Sequence, residues 1–198
     1  MIRGCQCIVV ICLLAACASS PTPRYYTLAA PPAAAATNSN APNNNATYKI
    51  AVGPVTLPEI VDRPQLVLRS GANQVVIAEQ HRWAEPLKSE LPRVIAADLN
   101  RELGGAWVTS SRQSASQDAD YRVSLDVQRF DSVLNEAVTV EALWVIRQSR
   151  GGEPRMGRSL VREATDGGGY DALVAAHDRA LAAVSHDIAE ALRTVTGR

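Results

Sequence analysis

Alternation of apolar and polar residues is clearest where Tyr121, Val123, Leu125 and Val127 interleave with Arg122, Ser124, Asp126 and Gln128. This period of two predicts a strand with one buried and one wet face. Val138, Val140, Ala142, Trp144 and Ile146 repeat the pattern, and Gly151-Gly152 turns the chain into a third run around Met156 to Ala164. An antiparallel meander is expected. Upstream, Tyr48 to Val52 with Val55 reads as a first strand bounded by Pro54 and Pro58, a residue type confined to strand ends and edges. Gln65 to Arg69 and Gln74 to Glu79 flank Ser70-Gly71-Ala72-Asn73, whose turn chemistry predicts a hairpin. Ala106 to Thr109 adds a brief strand before a polar loop.

Three- and four-residue spacing takes over in two places. Leu87, Leu91, Val94, Ile95, Leu99 and Leu103 form one amphipathic stripe, ended by Gly104-Gly105. Pro92 interrupts it, which predicts either a helix starting near Pro92 after a short turn from Pro86, or one kinked helix. From about Tyr170 to Thr194, Leu173, Ala176, Ala180, Leu181, Val184, Ile188, Ala191 and Leu192, with Val195 beyond, form the stripe of a long Ala-rich helix. The fold class these patterns give is α+β: a mainly antiparallel sheet with two principal amphipathic helices packed on it, in a single domain.

Before Tyr48 the pattern is of another kind. Arg3 is the only charge before Arg24, an apolar run covers Ile8 to Leu14, and Ala15-Ala16 precede Cys17. Charge, apolar core and small residues in that order make a secretory signal. The run is too short for a transmembrane helix, which needs about 20 apolar residues. Leu14-Ala15-Ala16-Cys17 resembles the lipobox of bacterial lipoproteins. The resemblance implies cleavage between Ala16 and Cys17, and a diacylglycerol thioether with an N-acyl chain on Cys17 as the only added groups. Ala18, not being aspartate, implies sorting to the outer membrane. Against it stands a soluble secreted protein whose signal contains Cys5, Cys7 and Cys12. Ala29 to Thr47 is almost wholly Ala, Pro, Asn, Thr and Ser and buries too little apolar surface to offset its ordering entropy. Extended, such a stretch reaches roughly 65 Å, and as a coil roughly 25 Å. Three parts follow: a removed signal over 1–16, a lipidated N-terminus and flexible tether over 17–47, and a folded domain over 48–198.

Composition narrows the chemistry. Lys and Arg number 20 against 20 Asp and Glu, so no electrostatic footprint for nucleic acid exists. All four cysteines lie at or before position 17, which leaves the domain no thiol for a disulfide, a nucleophile or a metal. His177 and His186 are nine apart and project from opposite sides of a helix, so with His81 they make no local metal site. Ser185-His186-Asp187 has the residue types of a hydrolytic triad, but adjacent helical residues diverge by about 100°. Gly152 to Gly157 with Arg158 and Ser159 has the glycine spacing of a phosphate loop, yet it crosses a hairpin where that motif joins strand to helix. No catalytic and no metal-ligating residue is expected, and a site built from distant carboxylates such as Glu85 and Glu163 is the remaining enzymatic option.

Several stretches together resemble the PqiC-type family of ABC-transport auxiliary lipoproteins. These are Tyr25-Tyr26-Thr27-Leu28, Ile50 to Val55, Asp62-Arg63-Pro64-Gln65-Leu66-Val67, Arg82-Trp83-Ala84-Glu85-Pro86-Leu87, and Ala176-His177 through Ile188-Ala189. The resemblance implies a non-catalytic periplasmic subunit of an MCE-type lipid transport system, anchored to the inner leaflet of the outer membrane. It implies MCE-domain and inner-membrane subunits as partners and allows a homo-oligomer. Arg63, Gln65, Arg82, Trp83 and Glu85 become candidates for the partner surface. The competing expectation is a binding module or assembly chaperone for an outer-membrane protein, unconnected to lipid transport.

Overall fold

The computed structural model describes residues 22–29, 48–104, 106–111 and 116–197. In chain order the elements are β1 (Arg24–Tyr26), β2 (Tyr48–Thr56), β3 (Gln65–Arg69), β4 (Val75–Trp83), α1 (Leu87–Leu103), β5 (Ala106–Ser110), β6 (Tyr121–Val133), β7 (Ala137–Gln148), β8 (Arg155–Ala164) and α2 (Gly169–Thr196). The α+β class and the two helices are as the patterns predict, and β6, β7 and β8 are the expected antiparallel meander. The sheet is not one mainly antiparallel layer. Two mixed sheets form, β1-β4-β3 and β5-β2-β6-β7-β8, and β2 is parallel to both of its neighbours. The cause is the crossover: α1 returns the chain along the sheet, so β5 enters beside β2 in the same direction, as parallel pairing requires.

Both helices pack on the five-stranded sheet, α1 over β2 and β5 and α2 over β7 and β8, and they also touch each other. Ile50, Val52, Val123 and Val138 meet a layer that includes Leu91, Ile95, Leu99, Leu181, Val184 and Ile188, all buried. Each such side chain contributes about 1.5–3 kcal/mol on full burial. A single helix runs through Pro92. It starts directly after Pro86, whose carbonyl accepts the Ser89 and Glu90 N–H groups at 2.8 and 3.1 Å. Pro92 therefore sits in the second turn and forfeits one backbone bond. The start of α2 is capped from outside, by Asn135 of the β6–β7 turn, whose Oδ1 accepts the Gly169 N–H at 2.7 Å.

The domain does not begin at Tyr48. Arg24, Tyr25 and Tyr26 pair in parallel with His81, Arg82 and Trp83, and Tyr26 and Leu28 are buried in the core. Residues 24–29, expected in the tether, belong to the folded body. Pro23 lacks an N–H, which ends the strand at Arg24.

Candidate anchor clamp and partner surface

Leaving β1, the chain meets one carboxylate from each helix. Glu90 of α1 accepts, on Oε1, the Leu28 N–H at 2.8 Å and a short hydrogen bond from the Thr27 hydroxyl. Arg93 Nη2 donates to the same oxygen from 3.3 Å. Asp178 of α2 accepts the Ala29 N–H at 2.9 Å. Three consecutive residues are thus held by side chains from both helices. Glu90 is 0% exposed, and burial raises its pKa against the opposing pull of Thr27, Leu28 and Arg93. Asp178 is pushed up to about 6, by burial first and then by Glu90 and Asp98. Asp98, also buried and raised by burial, ties α1 to α2 through Ser185 Oγ at 3.4 Å and takes Arg101 at 2.6 Å. On the other side of β1, Tyr26 Oη and His81 Nδ1 share a hydrogen bond of 2.8 Å, and His81 stacks on Tyr170 of α2 at 3.4 Å between centroids.

The five candidates for a partner surface divide. Gln65 and Arg82 stand opposite each other across β3 and β4 and share Glu79: Gln65 donates to its carboxylate at 3.2 Å, and Arg82 Nε to its carbonyl at 3.1 Å. Arg63 lies half-buried before β3, and Glu85 is exposed just before α1. Trp83 is not on the surface. It is 6% exposed and meets Phe130 and His177 edge-on at 6.2 and 6.1 Å, while its backbone N–H donates to the Pro64 carbonyl at 2.7 Å. Its role is to hold the turn that carries Arg63.

The histidines are separated as the helical spacing requires. His177 is fully buried, stacks on Phe130 at 4.1 Å and shares a hydrogen bond with Ser132 Oγ at 2.8 Å. Burial lowers its pKa to about 3, so it is a neutral core residue. His186 is exposed beside Glu102. Ser185 and Asp187 point to different partners, Asp98 and the Ser159 hydroxyl at 2.6 Å. Gly157 faces Trp144 across β7 and β8, where a Cβ would come within 2.1 Å of the indole. That glycine makes room for a ring, and the spacing with Gly152 has no phosphate geometry. Glu163 is paired with Arg179 at 3.5 Å. Among the described residues no three His, Cys, Asp or Glu side chains could hold a metal ion, and no helix is long and apolar enough to cross a membrane. Ala16 and Cys17 lie outside the described residues.

The family of ABC-type transport auxiliary lipoprotein components has a sequence model that matches residues 26–189, from the end of β1 into the last turns of α2. This chain belongs to that family. Intermembrane transport lipoprotein PqiC of Escherichia coli strain K12 is 28% identical to it over 92 residues, 46% of this chain and 48% of that protein. The Shigella flexneri protein of the same name gives the same values. The chain spans about half the length of these curated relatives. An uncharacterized protein of known crystal structure shares the fold with a TM-score of 0.70 at 23% identity, over 87% of this chain and 99% of that one. Protein XCC0632 of Xanthomonas campestris does so with a TM-score of 0.60 at 18% identity, over 85% and 90%. The auxiliary-lipoprotein family thus encloses both the clamp and the candidate surface: the chain is a lipoprotein component auxiliary to transport.

Proposed function

We propose that this lipoprotein is anchored through Cys17 to the periplasmic face of the outer membrane and serves, without catalysis of its own, an MCE-type intermembrane lipid transport system. The observation that carries the reading is the order of parts: a Leu14-to-Cys17 lipobox nine residues ahead of Tyr26, where the auxiliary-lipoprotein match begins. The name of the PqiC relatives supports intermembrane transport. Arg63, Gln65, Arg82 and Glu85, held from behind by Trp83, form the surface offered to the MCE-domain subunit, and the inner-membrane subunits act through it. In-cell crosslinking followed by purification tests the partnership: the lipoprotein is expected to bring down an MCE subunit, with loss of yield for Arg82→Glu. Recovery of a folding outer-membrane protein with no MCE subunit would favour the chaperone reading. Cys17→Ser is expected to release the chain from membranes while leaving its domain folded, and unchanged membrane fractionation would sink the anchor.

A further inference from the structure

The clamp on residues 27–29 changes which stretch is the leash. Because β1 is paired with β4 and its exit is held by Glu90 and Asp178, seven residue steps of chain join Cys17 to the docked strand at Arg24. Seven steps reach at most about 24 Å. Residues 30–47 join Ala29 to β2 and add nothing to that distance.

The direction is fixed too. Since β1 runs parallel to β4 with Arg24 opposite His81, the chain enters β1 from the side of the β3–β4 turn. Counting back from His81 to Gln74, at that turn, is also seven steps. The leash is long enough to bring Cys17 level with the hairpin tip and too short to carry it far beyond. At that tip Val75 and Val76 are 40% and 47% exposed, and Val76, Leu68, Val133 and Leu134 line an open groove beside the β6–β7 turn, with Arg69 and Glu136 at its wall. At the other end of β6 and β7, about 40 Å away at strand rise, the chain presents Arg122, Arg147 and Arg150.

We infer that the anchoring leaflet itself occupies the hairpin end: the domain sits against the membrane with Val75 and Val76 at the lipid surface and the β7–β8 turn facing away. This rests on the lipid-anchor reading of Cys17. The occupant is a bilayer because the leash ends there and two large apolar side chains, Val75 and Val76, stand exposed beside the polar turn residues Ser70, Asn73 and Gln74.

Full-length acylated protein in phosphatidylethanolamine–phosphatidylglycerol vesicles tests it. Cleavage at Cys17 removes every other cysteine, so fluorophores at Val76→Cys and Arg150→Cys are single labels at exposed sites. A quencher fixed at the lipid headgroups is expected to dim the first several-fold more than the second. Insertion of about twenty flexible residues after Ser20 is expected to abolish the difference, while the same insertion after Ala36 leaves it intact. Equal quenching at both labels, or loss of the difference on insertion after Ala36, overturns the inference with the anchor still standing. Protein that fails to float with vesicles and lacks acyl mass on Cys17 overturns the anchor reading and the inference together.

Discussion

Thr27→Val deletes one hydroxyl and keeps the side chain's shape, so it isolates a single bond of the clamp. In the folded chain that hydroxyl donates to Glu90, a carboxylate with 0% exposure whose other oxygen has no hydrogen-bond partner. A hydrogen bond to a charged group contributes about 1.5–3 kcal/mol, and its loss should therefore raise the population of the opened segment roughly tenfold to a hundredfold. The Leu28 and Ala29 amides report this opening, because their acceptors are the Glu90 and Asp178 carboxylates and not a strand ladder. Hydrogen exchange is the assay. In the wild type both amides are expected to exchange through a local opening, with a smaller free energy and shallower denaturant slope than the β6–β7 core. In Thr27→Val both should speed up by the stated factor, while amides that open locally at the β7–β8 turn keep their rates. The reasoning fails if Leu28 and Ala29 already exchange with the core's free energy and slope, for then no separable clamp exists. It also fails if the substitution leaves their rates unchanged.

Gly157→Ala should cost about 1–3 kcal/mol in urea unfolding, as overpacking does, since its Cβ would lie 2.1 Å from Trp144 Cζ2. The cost should shrink in a Trp144→Phe background, and equal costs in both would refute the contact. His177, with a folded pKa of about 3 below its ordinary 6.5, binds fewer protons folded than unfolded. The stability it gives is complete above about pH 6.5 and is lost as pH falls toward 3. Asp178, raised to about 6, acts oppositely and adds stability as pH falls through 6 toward 4. His177→Phe should therefore gain on the wild type steadily as unfolding is measured from pH 6.5 down to 4, and a pH-independent gap would rule this out. Ile188→Asp buries a charge at a position with 0% exposure and should unfold the domain or lower its stability by several kcal/mol, whereas an unchanged melting temperature would contradict its place in the core.

Alternation along β6 and β7 was legible because it records which face is buried, and each of those strands has one face under α2 or the core. It does not record which strand lies alongside. The parallel pairs of β2 with β5 and β6 were invisible for that reason. β1 escaped because three residues are too few for any period, and its partner strand comes 57 positions later in the chain, with Arg24 opposite His81. Trp83 misled by neighbourhood, standing among Arg82, Ala84 and Glu85. Counting by twos from buried Ala78 puts Trp83 outside. The register of β3 with β4 slips between Gln65 and Leu66, whose partners are Arg82 and Ala78, and that bulge turns Trp83 inward. The clamp did leave a trace in the sequence. Glu90 falls three after Leu87 and four before Val94, and Asp98 four after Val94, so both carboxylates stand on the apolar stripe of α1. His177 and Ser185 interrupt the stripe of α2 in the same way. A polar residue at a core position of a helix marks a buried partner, here the incoming N-terminal segment, the facing helix and, for His177, Ser132 of β6.

Chain length then has opposite consequences on the two sides of β1. Eighteen residues, 30–47, separate Ala29 from Tyr48, and they must let β1 pair in one sheet while β2 takes the centre of the other. Closing such a loop costs only about 0.6 kcal/mol more for each doubling of its length, so a long, compositionally simple connection there places little burden on the fold. Each residue added between Cys17 and Arg24 instead lets the domain move about 3.4 Å further from its anchor and widens the range of orientations it samples. The Ala-, Pro- and Asn-rich stretch is the tolerant one, and on the proposed lipid anchor the seven steps from Cys17 to Arg24 are the ones whose length matters. Under the proposed anchor and partner surface, a subunit that presents Arg63, Gln65 and Arg82 at a constant height would gain from this arrangement, because the parallel pairing of β1 with β4 sets the side from which the N-terminal chain enters.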